Sequence, residues 1–230
     1  MNLVAPHRWD LPPVEAIAIQ RELAFRVLRE GPPVLEGRIA GVDVGFEDDG
    51  RTTRAAVTVL DMPSCRVAEI ALARLPTTFP YVPGLLSFRE LPAVLLALGQ
   101  LRHEPDLLMC DGQGIAHPRR LGIAAHLGLI TGLPSVGVGK TRLCGHHVDV
   151  PDVRGAWVPL EDRGEVIGAV LRTRARVKPV YVSIGHRLDL AAAVASVMAA
   201  LTRYRLPAPI RAAHRLASDT GLLQAGMLIR

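Results

Sequence analysis

Between Arg38 and Leu75 three strand-like segments follow one another, separated only by short turns. Arg38 to Phe46 (RIAGVDVGF) is rich in β-branched residues. Ala55 to Leu60 (AAVTVL) is entered from EDDGRTT, and Cys65 to Leu75 follows a Met62-Pro63-Ser64 turn. Connections this short favour consecutive antiparallel hairpins. Ahead of them, Val14 to Arg29 reads as an amphipathic helix ended by Gly31-Pro32-Pro33. Behind them, the pattern alternates. Ser87 resembles an N-cap with Glu90 three residues on, which opens a helix running to about Arg102. A buried strand (Asp106 to Asp111), a helix (Arg120 to Thr131) and a strand (Pro134 to Val138) come next. Strand-like pieces lie at Ala156 to Leu160, Val166 to Arg172 and Val180 to Ile184. Helices at Leu190 to Leu201 and Pro209 to Ala217 close the pattern. Hairpins followed by alternating helix and strand predict an α/β fold with a mixed sheet flanked by helices. With no repeat and no linker, residues 1–230 read as one domain.

Composition narrows the setting. Apolar residues make up 49% and charged residues 21%, the balance of a globular chain with a sizeable core. No apolar run approaches the ~20 residues that span a bilayer, and no secretory signal is visible. Three widely spaced cysteines predict reduced thiols and a cytoplasmic protein. The net charge of +5 is compatible with a polyanion partner. Only Lys140 and Lys178 among 27 basic residues are lysines, so a retained lysine invites a search for a role that needs a compact ammonium.

Two acids stand against apolar surroundings. Asp43 lies inside GVDVGFE, and Asp111 ends DLLMCDGQG. A carboxylate at the end of a buried strand is costly without a partner. The partner is either a divalent cation or the backbone amides of the following loop. Glycines close behind both acids (Gly45, Gly112) let another backbone or a substrate approach. If the two strands are neighbours, the acids share one sheet edge. Glu90 is either a third carboxylate or only the capping-box acid.

These motifs, with PTTFPYVPGLLSFRELP (76–92), PDLLMCDGQGIAHPRRLGIAAHLGL (105–129), PSVGVGKTRLCG (134–145), SIGHR (183–187) and RYRLPAPIRAAH (203–214), resemble endonuclease V, the deoxyinosine-directed 3′ endonuclease. The resemblance covers roughly residues 15 to 217. It implies an RNase H-like fold with a mixed five-stranded central sheet. It implies Mg²⁺, with Mn²⁺ as a substitute, held by Asp43, Glu90 and Asp111, with His214 near the metal. Lys140 in VGVGK would stabilise charge growing on the phosphate. Pro80, Tyr81, Val82 and Pro83 would form a wedge beside the lesion. A flipped hypoxanthine would meet Gly84, Leu86, Gly112, Gly122, Ile123 and Leu143. His117 would reach the pocket or a phosphate, and Arg119, Arg120 and Arg142 would contact phosphates. Gln113 stands where several bacterial relatives have His.

The implied activity is cleavage of the second phosphodiester bond 3′ to deoxyinosine in double- or single-stranded DNA, leaving 3′-hydroxyl and 5′-phosphate ends, by a monomer. Inosine-containing RNA is an alternative substrate, and non-catalytic binding of damaged nucleic acid an alternative function. The alternating run Arg172, Arg174, Arg176 and Lys178 is either a DNA face or a charged strand edge. Cys144, His146, His147 and Asp149 match no standard zinc spacing.

Overall fold

The computed structural model describes residues 3–218. β1 (Gly37–Glu47), β2 (Thr52–Met62) and β3 (Arg66–Pro76) form the antiparallel meander expected from the short turns. β4 (Leu107–Cys110) adds parallel to β1, and β5 (Ser135–Gly139) parallel to β4. The late strands β6 (Trp157–Asp162), β7 (Glu165–Leu171) and β8 (Val180–His186) join the same sheet through an antiparallel β5–β8 pairing. The order is β3-β2-β1-β4-β5-β8-β7-β6, so the sheet has eight strands and not the five expected. The central five are present, and β8 gives the last hairpin an edge to join.

Alternation along the strands builds two cores. On β4, Leu108 and Cys110 face one core, and Leu107 and Met109 the other. The first core is covered by α2 (Leu86–Leu98) and α3 (Ile123–Thr131), the second by α4 (Leu190–Ala199) and α5 (Ala208–Ser218). Leu91, Leu98 and Leu108 are fully buried, and each contributes roughly 2–3 kcal/mol of hydrophobic stabilisation. α1 (Pro13–Ala24) packs outside α3 through Leu23, with Val27 just beyond its end. Among the described residues, no helix is long and apolar enough to cross a membrane.

Several boundaries move for local reasons. α1 ends at Ala24, short of Arg29, because the chain turns out to bond β8. There the Leu28 carbonyl accepts from Arg187 N–H, and Leu28 N–H donates to His186 Nδ1. The capping box is not formed. Leu85 is the N-cap of α2, and the Ser87 hydroxyl meets buried His126 at 3.0 Å. α2 stops at Leu98 and not Arg102, with Gly99 as its C-cap. α3 begins at Ile123 because Arg120 sits at a positive φ of 58°.

Candidate active site

Parallel pairing places Val42 opposite Cys110, so the next residue on each chain, Asp43 and Asp111, stands at the same level. The Asp111 N–H donates to the Val42 carbonyl at 3.1 Å. β5, on the far side of β4, delivers Lys140 one residue past its end, with Nζ 2.5 Å from Asp111 Oδ2. His214 arrives on α5, its Nδ1 2.6 Å from Asp43 Oδ2. One ligand atom from each of Asp43, Asp111 and His214 lies within 4.8 Å of the others, the one group among the described residues that could hold a metal ion.

Glu90 comes from α2, on the opposite face of the sheet, and stays outside that tight group. It is only 8% exposed. Burial first, then the charges of Asp43 and Asp111, push its carboxyl up to about 8. Burial and the charge of Asp111 also raise the Asp43 carboxyl, opposed by His214 and by the Val44 N–H, which donates to Oδ1 at 2.8 Å. Carboxyl groups crowded this closely disfavour one another's charge, so Asp43, Asp111 and Glu90 together form a carboxylate-lined pit. The carboxylate oxygens are hard donors suited to Mg²⁺ or Mn²⁺, and a divalent charge would offset their repulsion. The donor set therefore fits such a cation.

The strand sequence explains how α5 comes so close. Gly41, Asp43 and Gly45 project from one face of β1, because side chains alternate. A Cβ on Gly41 would lie 2.0 Å from the Pro209 carbonyl oxygen, and one on Gly45 2.1 Å from that of Ala217. The two glycines admit the α5 backbone, and His214 meets the acid between them.

A cavity of about 240 Å³ opens beside the acids. Clefts for drug-sized ligands run to ~300–1,000 Å³, so this one is on the scale of a single heterocycle. All six pocket residues expected from the resemblance line it: Gly84, Leu86, Gly112, Gly122, Ile123 and Leu143. So do Tyr81, Val82, Pro83, Gln113, His117 and Arg142. Gly112 and Thr141 connect it to the acidic cluster, being chain neighbours of Asp111 and Lys140. At the rim, Tyr81 is 74% exposed, while Phe79, on the other side of Pro80, is buried against Phe88. Gln113 Nε2 donates to the Thr141 carbonyl at 3.0 Å and ties two cavity loops together.

The Gly84 carbonyl is held by three side chains. Gln20 Nε2 donates at 2.9 Å and Arg119 Nη2 at 2.8 Å. His117 is the third: Arg119 N–H donates to its Nδ1, so Nε2 carries the proton and donates at 3.0 Å. Burial, then the Arg119 charge, lowers the His117 pKa to about 4, so the ring is neutral. Gly84 sits at φ +79°, where a side chain would be strained. Arg119 and His117 thus hold the loop that ends at Gly84 and are already bonded to it.

Gln20 escaped sequence reading, although it occupies the buried Ala16–Gln20–Leu23 stripe of α1, where an amide needs partners. Arg120, expected to contact phosphate, is engaged within the fold, its guanidinium bonding Glu165 at 2.6 Å and Asp162 at 2.9 Å. The run from Arg172 to Lys178 forms the turn between β7 and β8 and no strand edge. Arg172 is bonded to the carbonyls of Val150, Pro151 and Val177. His146 lies near Glu161 and His147 near Tyr181.

Comparison with known proteins agrees with this architecture. The family model for Endonuclease V matches residues 21–215. Endonuclease V of Azotobacter vinelandii is 60% identical over 211 residues, covering 91% of this chain and 95% of that protein. The crystal structure of the Endonuclease V from Streptomyces avermitilis is 43% identical. It superposes with a TM-score of 0.89 over 99% of this chain and 100% of its own, which establishes the RNase H-like fold. The fold also matches, at 22% identity and TM-score 0.75, a Ciona intestinalis Endonuclease V solved with a 24mer DNA containing an inosine followed by a ribo-adenosine. That match covers 92% of this chain and 98% of the other. With its fold and its sequence in agreement, this chain belongs to the Endonuclease V family.

Proposed function

We propose that this protein is a divalent-metal-dependent nuclease that recognises deoxyinosine in DNA and hydrolyses the second phosphodiester bond 3′ to it. The observation carrying this reading is the junction of two sites: a carboxylate-lined pit with a lysine, and a heterocycle-sized cavity one residue away along both the 111–112 and the 140–141 segments. The inosine in the DNA bound to the Ciona protein supports the choice of base.

Asp43, Asp111 and His214 would hold the cation, with Glu90 behind them. A bound Mg²⁺ or Mn²⁺ would supply Lewis-acid neutralisation of the phosphate and lower the pKa of water. The protein's own groups do the positioning. His214 Nδ1–H donates a hydrogen bond to Asp43 and fixes that carboxylate's orientation, leaving the Nε2 lone pair available. Lys140, oriented by Asp111, places an ammonium where negative charge grows on the phosphate. Tyr81 fills the gap left by the displaced base, and the triply held Gly84 carbonyl keeps the cavity wall in place. The products are a 3′-hydroxyl and a 5′-phosphate.

The test is a labelled duplex with one inosine, incubated with Mg²⁺ or with chelator, beside Asp43→Ala. Nicking at a single offset, only with metal and the intact acid, is expected. A shifted but intact duplex would make the protein a binder. An inosine-containing RNA strand in parallel measures preference between the two sugars.

A further inference from the structure

A second groove, of about 400 Å³, leaves the acidic cluster on the side away from the base cavity. Lys140, Tyr204, Arg205, Arg211, His214 and Arg215 line it, and no acidic residue among the described ones does. Lys140 and His214 belong to both the groove and the cluster, whereas the groove and the base cavity share no lining residue. The cluster therefore lies between them.

The cations of this groove are differently disposed. Arg205 is committed to structure, donating to the carbonyls of Lys140 and Pro179 at 2.8 Å each. Arg211 lies over the Tyr204 ring at 3.3 Å from its centroid, a contact that restrains a long side chain before any ligand arrives. Arg215, four residues on, projects from the same face of α5. Both arginines also line the next hollow, together with Arg66, so positive charge continues beyond the groove. The other basic hollow near Lys140 is a weaker candidate. It contains Asp149, its Arg172 is bonded to carbonyls, and it shares Thr141 and Arg142 with the base cavity, so it runs alongside that cavity.

We propose that this groove binds the phosphates of the cleaved strand on the 3′ side of the scissile bond, with Arg211 and Arg215 as the contacting cations and Tyr204 as the residue that positions Arg211. The proposal rests on the deoxyinosine nuclease reading: a lesion in the cavity and a scissile phosphate at the cluster leave this groove as the exit for the downstream strand.

Two single-stranded inosine oligonucleotides test it, one ending a single nucleotide past the scissile bond and one continuing for eight. The unaltered protein should favour the longer strand. In the Arg211→Ala/Arg215→Ala double variant that preference should fall roughly tenfold. For the longer strand, the dependence of log kcat/KM on log salt should become shallower by about 1.4, the loss of two single-strand phosphate contacts. The Arg211→Lys/Arg215→Lys variant keeps the charges and should keep most of the slope. An equal loss on both strands, or an unchanged preference and slope, would overturn the subsite while leaving the nuclease reading intact. Failure of the unaltered protein to cut either strand would overturn both.

Discussion

Lys140 sits 2.5 Å from a carboxylate, an ion pair to which the proposed mechanism gives a role at the phosphate. Its side chain is about one-third exposed, so water screens the pair and its contribution to folding is small. Lys140→Ala should therefore leave the fold intact and lower kcat by ~10²–10³-fold, with little change in Kd for inosine DNA. Single-turnover cleavage beside equilibrium binding measures both, and a loss confined to Kd would remove Lys140 from the chemistry. The acids can be checked without any reaction. A cation held by the proposed ligands would bind only the folded pit, so adding Mg²⁺ should raise Tm. Asp43→Asn/Asp111→Asn removes both charged oxygen donors and should abolish that rise. A rise that persists would place the cation elsewhere.

At the scale of elements, the site depends on how tightly α5 lies on β1. The carbonyls of Pro209 and Ala217 occupy the space that side chains at positions 41 and 45 would take. A methyl group at 41 must push the helix away, and it cannot do so without moving His214 off Asp43. Gly41→Ala should destabilise the protein by ~1–3 kcal/mol, the range of core overpacking. It should also lower turnover by more than the same loss of stability from a remote core substitution such as Ile130→Val. Denaturant unfolding and kinetics on the two variants decide the point. Equal activities at equal stability would mean that the α5 approach does not tune the site.

Across the whole molecule, three buried or largely buried imidazoles set a limit on acid tolerance. Burial, then the neighbouring cation, lowers the pKa of His117 (Arg119) and of His186 (Arg187) to about 4. Burial, then His7, lowers His126 to about 3. All three lie below the ordinary 6.5, so the unfolded chain takes up these protons first. The stability they contribute is complete above about pH 6.5 and lost as the pH falls toward 4 and 3. Glu90, its carboxyl raised to about 8, works the other way over this window, but three rings outweigh one acid, so Tm should drop by roughly 5 °C or more between pH 7 and 4.5. His126→Gln should flatten that fall, since the ring lies between His7 and Ser87 in a chain of hydrogen bonds. A fall in Tm that is the same in His126→Gln as in the unaltered protein would contradict the burial assigned to that ring.

Much of the fold was legible because it is written in local patterns. Short turns dictated the β1–β2–β3 meander, and the unbroken apolar run before Asp111 marked β4 as a buried strand. The acids at 43 and 111 stood out because a charge in an apolar strand needs a reason. The family motifs named Glu90, Lys140 and the cavity residues. Other features had no local signature. Ser87 has the sequence of a cap, yet its hydroxyl turns to His126, which is thirty-nine residues away. Arg120 resembles a phosphate contact until Asp162 and Glu165 arrive from another hairpin. Gln20 meets Gly84 and Leu121 only once α1 has docked. Sequence alone determined which residues could carry charge into the interior. Only the tertiary structure decided which partners answer them, because hydrogen bonds and ion pairs act over a few ångströms and the partners lie tens to more than a hundred residues apart along the chain.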